Sequence, residues 1–250
     1  FHLTKTAAAK PRVIGFAYET TYSKNGAGIM SYSLSYSREK SNALYILDDE
    51  LNIIGELKDM AKGEEVYSAR FIGDTAYFVT YLQVDPLFAV DLSNPENPVI
   101  LSELKIPGFS EYLHPWGNNK LLGIGYEDGN IKISMFDIED KADVKETGKC
   151  ILNEMYYARL LYNYKAGLID SGKNIIGFWA NGYSGTYYFI FRENNGEFEM
   201  AESLDLAEVD RDIYDVRGLY LDDKIYVVLQ TGKMVIYDLN TVEKLGIVNY

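Results

Sequence analysis

The sequence predicts an all-β protein, folded as a β-propeller of about five four-stranded blade repeats. The first observation is a short motif at residues 66–71, 110–115, 155–160 and 213–218, whose starts lie 44, 45 and 58 residues apart. The second is that each copy opens a run of four apolar segments separated by turn residues. A period of about 40–50 residues built from short strands is typical of propellers. Five repeats are also compatible with a part of a larger propeller.

The propeller domain is expected at residues 12–250, after a tail at residues 1–11. The predicted repeats are 12–60, 66–105, 110–152, 155–204 and 213–250. In the first repeat, strands are expected at 12–18, 28–36, 44–48 and 53–58. The second repeat is the clearest, with strands at 67–72, 75–81, 86–92 and 99–105. Its turns are Gly73-Asp74 and an Asn- and Pro-rich stretch at 93–98.

The remaining repeats follow the same order of four apolar segments. The expected strands are 111–114, 120–126, 131–138 and 144–152, then 156–169, 174–180, 186–192 and 197–204, then 213–221, 224–230, 233–239 and 243–248. Acidic residues at 205–210 predict no more than a helical turn. A single β-sandwich would have about seven to nine strands, and an up-and-down barrel would show no repeat of four. The pattern therefore favours a propeller.

The charge balance excludes several classes of partner. The chain has 250 residues, 47% of them apolar, and a formal net charge of −13. Because phosphate binding requires a basic surface, this charge argues against nucleic acid and against a polybasic membrane patch. No apolar run approaches the roughly 20 residues of a membrane span, so no membrane insertion is expected in this segment. The chain begins at Phe1 and shows no signal peptide, which fits a processed or excised piece.

The reactive residues are few. One cysteine, Cys150, excludes an internal disulfide. His2 and His114 are the only histidines, and they lack the neighbouring ligands that metal sites usually need. Neither a Gly-x-Ser-x-Gly elbow nor a phosphate loop is present. The sequence therefore predicts no metal, no cofactor and no identifiable catalytic residue, although the many carboxylates leave a glycosidase-like pair open.

An aspartate recurs where the third strand ends in four of the five repeats. Its copies are Asp48, Asp91, Asp137 and Asp238, and one repeat has Arg192 instead. Aspartate at the end of a strand accepts backbone hydrogen bonds from the following turn. We therefore interpret these residues as turn caps and expect that Asp91, Asp137 and Asp238 bind no metal.

A Tyr-x-x-Arg motif supplies the candidate binding residues. Arg70, Arg159 and Arg217 occupy its copies, and His114 takes the corresponding place in the weaker one. On the first strand of each blade these side chains would lie near the propeller axis, where a partial cationic ring could hold a small anion. The alternative is that each arginine pairs with a carboxylate of a neighbouring blade or packs on a tyrosine ring.

Several segments resemble a known family. They are residues 44–48, 54–57, 67–74, 85–88, 91–92, 97–98, 103–115 and 132–137, and the resemblance extends over about 43–250. The family is the bacterial secreted C-terminal β-propeller domain family, distantly related to WD repeats. The resemblance implies an exported protein at an extracellular or cell-surface location, and it implies no catalytic residues.

The sequence leaves two main functions open. The first is an extracellular or cell-surface module for binding or scaffolding, with an unknown protein, carbohydrate or small anion as partner. The alternative is an enzyme acting on a carbohydrate or small anion at one end of the propeller axis. A purely structural domain is the third possibility. An enzyme would show converging carboxylates or a metal, whereas a binding module would show exposed aromatic loops, for which 162–164 and 182–188 are candidates.

Overall fold

The fold was analysed in a computed structural model that describes residues 2–6, 12–27, 33–81 and 85–250, with side chains at 42–80 and 86–250. The described residues form five antiparallel sheets and only three short 3-10 helical segments. The predicted all-β fold of four-stranded blades is therefore confirmed. The chain divides into two compact units, Phe1–Phe109 with Asp140–Val144, and Ser110–Glu139 with Lys145–Tyr250.

The first unit holds two four-stranded sheets, in which consecutive strands pair. The strands of the first sheet are β1 (His2–Thr6), β2 (Arg12–Ala27), β3 (Ser33–Leu47) and β4 (Ile53–Met60). Those of the second sheet are β5 (Glu65–Ile72), β6 (Thr75–Tyr81), β7 (Asp85–Asp91) and β8 (Val99–Ile106). Apolar side chains of β3, β6 and β7, including Leu44, Phe78 and Phe88, form the core between the two sheets.

The second unit contains the third, fourth and fifth sheets. The third sheet is β9 (Phe109–Trp116), β10 (Lys120–Glu127), β11 (Asn130–Asp137) and β12 (Lys145–Leu152). The fourth is β13 (Met155–Ala158), β14 (Leu168–Asp170), β15 (Ile175–Gly182), β16 (Gly185–Asn194) and β17 (Glu197–Asp205). The fifth is β18 (Val216–Leu221), β19 (Lys224–Leu229), β20 (Lys233–Asp238) and β21 (Lys244–Asn249). Two apolar cores, one between each neighbouring pair of these sheets, hold the unit together.

Three predicted regions differ from the structure. Strand β1 lies inside the predicted tail at 1–11, because its backbone pairs with β2 from His2↔Phe16 to Thr6↔Arg12. The predicted strand at 28–36 lies partly outside the described residues, and its described part belongs to β3, which continues to Leu47. The predicted strand at 156–169 is broken, since 3-10 turns at Arg159–Leu161 and Tyr164–Ala166 separate β13 from β14.

All five sheets carry a β-bulge at the same place. On the fourth strand, one extra residue faces the last residues of the third strand: Ile54, Leu101, Thr147, Ala201 or Leu245. A bulge bends its strand and increases the local twist. Because the bulge recurs in the same register, the five sheets are structurally equivalent units.

In two of the sheets, the residue after the bulge closely approaches the next sheet. Gly148 faces the turn between β16 and β17 so closely that a Cβ atom would lie 1.4 Å from the carbonyl oxygen of Gly196. Gly55 faces the carbonyl of Pro95 in the same way. The hydroxyl of Ser102 donates to the carbonyl of Lys141 at 2.8 Å. Both glycine contacts join a fourth strand to the turn between the third and fourth strands of the following sheet, and the Ser102 hydrogen bond lies within the first unit.

The core of the second unit contains a tyrosine hydroxyl without a hydrogen-bond partner among the described residues. Tyr188 is fully buried, and its hydroxyl lies beside Gly177 and Gly218. An unsatisfied buried hydroxyl is destabilising. We therefore expect Tyr188→Phe to leave the free energy of unfolding unchanged or to raise it by up to about 1 kcal/mol. Urea denaturation measures this change, and a loss of stability would show that the hydroxyl is bonded in solution.

Candidate functional site

The recurrent aspartates are turn caps, as predicted. Asp91 accepts a hydrogen bond from the backbone N–H of Ser93 at 2.8 Å, and Asp137 accepts one from Glu139 at 2.9 Å. Asp238 accepts from two backbone N–H groups of its turn, and so does Asp48. The backbone hydrogen bond from Ser93 helps hold the pKa of Asp91 below its usual value. These carboxylates are therefore occupied by their own turns.

Arg192, which replaces the aspartate in the fourth sheet, has a different structural role. Its guanidinium donates to the carbonyls of Lys173 and Asn174 at 2.8 and 2.7 Å, and also to the carbonyl of Leu239. Leu239 belongs to the turn after β20, so Arg192 connects the fourth sheet to the fifth. The residue that departs from the repeat, Arg192, thus forms a contact between two sheets.

Two of the predicted cationic residues converge on one carboxylate. Arg159 Nη1 lies 3.2 Å from Asp215 Oδ1, and Arg217 Nε lies 3.6 Å from the same atom. Arg159 also donates to the carbonyl of Tyr214 at 3.5 Å, and Arg217 to that of Lys165 at 2.8 Å. Both side chains are about one-third exposed, 33% and 37% respectively. Arg159 follows β13 whereas Asp215 precedes β18, so the pair joins neighbouring sheets.

The other two predicted residues do not take part in this contact. Arg70 lies on β5 in the first unit. His114 lies on β9, and its Nδ1 is 2.8 Å from the hydroxyl of Tyr112. All four residues are on, or directly after, the first strand of a sheet, and anion binding by them stays a prediction. Within the described parts of the chain, no group of three or more His, Cys, Asp or Glu is placed to hold a metal ion.

An aromatic cleft lies between the fourth and fifth sheets and has a volume of about 460 Å³. Its lining residues are Tyr156, Tyr157, Trp179, Asn181, Ile213 and Tyr214. Tyr214 is 71% exposed at its edge, and Tyr183, which packs on Tyr156, is 87% exposed. Single exposed apolar residues are common, but a cluster of exposed tyrosines around a concave surface is typical of a binding site.

A tight hairpin positions Tyr183. Gly182 and Gly185 pair across the ends of β15 and β16, so that Tyr183 and Ser184 form a two-residue loop. The backbone N–H of Tyr183 donates to the carbonyl of Glu154 at 2.9 Å. Glycine is required at 182, because a Cβ atom there would lie 1.9 Å from that carbonyl oxygen. The hairpin thereby places the Tyr183 ring 5.0 Å from the ring of Tyr156.

The first 3-10 turn after β13 places a further tyrosine beside the aromatic cleft. Tyr162 follows the first turn, and its ring lies 5.7 Å from that of Tyr157. Tyr157 in turn lies 5.6 Å from Trp179 on β15. These turns and β14 fall within the repeat whose motif starts lie 58 residues apart. The wider spacing is a sequence signal that could have pointed to these additional turns.

The polar groups of the cleft are few and uncharged. The side-chain N–H of Asn181 donates to the hydroxyl of Thr186 at 2.6 Å. Trp179 is only 6% exposed, and its indole N–H has no hydrogen-bond partner in the described structure. An unpaired buried donor is costly, which makes it a group that a ligand could satisfy. No charged side chain lines the cleft.

A second cavity, of about 510 Å³, lies beside Lys120 and Glu193 and is less suited to a ligand. Glu193 accepts hydrogen bonds from Lys120 at 2.7 Å, from the indole of Trp116 at 3.3 Å and from the backbone of Gly196 at 2.6 Å. Burial raises the pKa of Glu193, but these hydrogen bonds outweigh burial and hold it below the usual value. The charged groups here are satisfied within the protein, so they are structural.

Repeated four-stranded antiparallel sheets are typical of a β-propeller domain, and comparison with known proteins supports this class. The chain matches the Beta propeller domain family over residues 16–242 and therefore belongs to that family. It shows similarity to an uncharacterized protein of Archaeoglobus fulgidus, with 40% identity over 205 residues, 82% of this chain and 31% of that protein. An uncharacterized protein of Methanocaldococcus jannaschii is 39% identical over 214 residues, 84% of this chain and 33% of that protein.

The chain thus spans about a third of the length of these archaeal relatives. Among solved structures, Citrobacter koseri AztD aligns with a TM-score of 0.53 and 14% identity, over 86% of this chain and 57% of its own. The WD40 domain of SCAP from fission yeast aligns with a TM-score of 0.51 and 11% identity, over 85% of this chain and 53% of its own. These structures show the fold alone. The predicted resemblance is confirmed for the β-propeller, whereas its bacterial and secreted character stays a prediction.

Proposed function

We propose that this chain is a binding module, in which the aromatic cleft holds a partner of the protein. The cluster of exposed tyrosines around the cleft is the observation that carries the proposal. Tyrosine and tryptophan bury large areas with little loss of conformational freedom, and they dominate the energetics of many interfaces. Tyr156, Tyr157 and Trp179 lie on strands of the fourth sheet, which positions their side chains without a ligand.

The lining of the cleft favours binding over catalysis. Its side chains are aromatic, amide and aliphatic, and they include no carboxylate or cysteine that could act as a base or nucleophile. The nearest predicted cationic pair, Arg159 and Arg217, already contacts Asp215 and two backbone carbonyls. These contacts weaken the case for the alternative of an enzyme acting on a small anion.

The proposed location is the cell surface or the extracellular space, and the sequence resemblance supports it. The described part of the chain contains no helix with the length and apolar character needed to cross a bilayer. Antibody labelling of intact cells that produce the native protein tests the location. Labelling only after the cells are broken would contradict it.

The binding function can be tested on peptide and glycan arrays with three proteins. They are the unmodified chain, the double variant Tyr156→Ser/Tyr214→Ser, and the control Tyr164→Ser, whose tyrosine is 63% exposed but does not line the cleft. We expect the unmodified chain and the control to bind the same set of probes, and the double variant to lose them. Equal binding by all three proteins, or binding by none, would contradict the proposal.

A further inference from the structure

The fifth sheet is apolar on both of its faces. On β19, Ile225, Val227 and Leu229 are fully buried in the core shared with the fourth sheet. Tyr226 and Val228 alternate with them and therefore point to the other face, where they are half-buried. An antiparallel sheet with one face in water usually carries polar residues on that face. The second face of the fifth sheet thus has the composition of a face that another element covers.

Two rows of paired residues form this second face, the open face of the fifth sheet. The first row is Leu219, Tyr226, Ile236 and Gly246, and the second is Arg217, Val228, Met234 and Val248. Arg217, at the end of the second row, is the charged member. Leu219 and Val248 are 44% and 42% exposed. A contiguous apolar surface of this kind marks an interaction site.

The equivalent face of the third sheet shows what covers such rows. Its residues at the corresponding positions of the second and third strands are all fully buried: Leu122, Ile124, Ile133 and Met135. They belong to the apolar core shared with the fourth sheet. Gly148, at the position of Gly246, lies against the carbonyl of Gly196 in the turn between β16 and β17. The cover is therefore a whole blade, which brings both an apolar face and a backbone turn.

Gly246 narrows the choice of occupant for the open face. At the same position after the bulge of the first sheet, Gly55 faces the carbonyl of Pro95 in the second sheet. A Cβ atom at Gly246 would meet no neighbour within 4 Å in the described structure. Glycine inside a strand is unfavourable, and it often marks a place where another backbone approaches closely. The open face therefore leaves the space that a turn carbonyl occupies against the other two glycines.

We propose that the open face binds a further four-stranded blade of the same polypeptide, outside residues 1–250. Apolar residues of that blade cover the two rows, and the turn between its third and fourth strands places a carbonyl against Gly246. A blade of this chain takes about 45 residues. The two archaeal relatives have ample length for it, since the matched region is only 31% and 33% of them.

Cysteine labelling tests whether the open face is covered in the complete gene product. Val248→Cys and the control Tyr164→Cys are each combined with Cys150→Ser, in the complete protein and in the 250-residue chain, and their reaction with a maleimide is followed by peptide mass spectrometry. Tyr164 is 63% exposed and does not belong to the open face. We expect Val248→Cys to react at least about tenfold more slowly in the complete protein than in the chain, and the control to react within about twofold in both. Equal rates for Val248→Cys, or a complete gene product that ends at Tyr250, would overturn the inference.

Gly246→Ala tests whether the cover is a blade. We expect this change to lower the unfolding temperature of the complete protein by about 5 °C or more, because the methyl group would meet the turn carbonyl, without lowering that of the 250-residue chain. No loss in the complete protein would overturn the proposed blade, even with Val248→Cys protected. A complete protein that is a dimer and becomes a monomer on Val248→Lys would assign the open face to a second copy, and it would overturn the inference as well. The array experiment judges the aromatic cleft separately.

Discussion

Replacing Gly148 by alanine should lower the free energy of unfolding by about 3 kcal/mol or more. The new methyl group would meet the Gly196 carbonyl oxygen at 1.4 Å, and both atoms belong to backbone that no rotamer change can move. The third and fourth sheets would have to separate, which would loosen the apolar core between them. Chemical denaturation followed by far-UV circular dichroism measures the loss.

Gly246→Ala is the matched control for this substitution. Gly246 follows the bulge of the fifth sheet at the equivalent position, and a Cβ atom there has no neighbour within 4 Å in the described structure. Alanine should leave stability unchanged or raise it by up to about 1 kcal/mol, because glycine is unfavourable within a strand. Similar losses at the two positions would contradict the close packing of the third sheet against the fourth.

Replacing Lys132 by methionine should lower the free energy of unfolding almost as much as Gly148→Ala does. Lys132 on β11 is 3% exposed, and its ammonium lies 3.0 Å from both Glu127 and Glu146. Removing it would leave Glu146 without this buried cation, and breaking a buried pair from one side typically costs about 3–5 kcal/mol. Urea denaturation at neutral pH measures the loss.

Lys149→Met provides the control within the same network. Lys149 contacts Glu127 at 2.8 Å, but its side chain is 41% exposed. We expect Lys149→Met to lower the free energy of unfolding by only about 0–1 kcal/mol, as for the loss of an exposed ion pair. If Lys132 and Lys149 proved equally replaceable, the burial of this network would not hold in solution.

The same network predicts a dependence of stability on pH. Burial raises the pKa of Glu127, but the hydrogen bonds from Lys149 and Lys132 outweigh it and hold the pKa below the usual 4.5. Protons therefore bind more readily to the unfolded chain, so the stabilisation is complete above about pH 4.5 and is lost as the pH falls through the folded value. We expect Glu127→Gln to lose less stability than the unmodified chain between about pH 5 and 3. An identical decrease in both proteins would contradict this assignment.

The repeat predicted most of the fold, because alternating apolar segments and turn residues determine where strands begin and end. Asp91 and Asp238 were predictable as caps because a carboxylate at a strand end has backbone N–H groups within reach. Strand β1 was missed, since its evidence is long-range pairing with β2, which a local pattern does not show. The role of Gly148 was missed for the same reason: the carbonyl that it faces lies in another sheet.

The candidate site was only partly predictable. The motif placed Arg159 and Arg217 at equivalent positions, but it gave no sign that Asp215, inside the same motif, would bind both. The exposed tyrosines at 162–164 and 183 lay in loops that the sequence had marked. Their assembly with Trp179 and Tyr214 depends on the packing of the fourth sheet against the fifth, which spacing alone cannot reveal.

The aromatic cleft is the proposed binding surface of this propeller domain. Hydrogen–deuterium exchange, measured with and without the tightest-binding array probe, tests it most directly. We expect added protection at residues 155–164, 179–183 and 213–215, and none around Lys120 and Glu193, where the second cavity lies. Protection confined to the second cavity, or to the first unit, would contradict the claim.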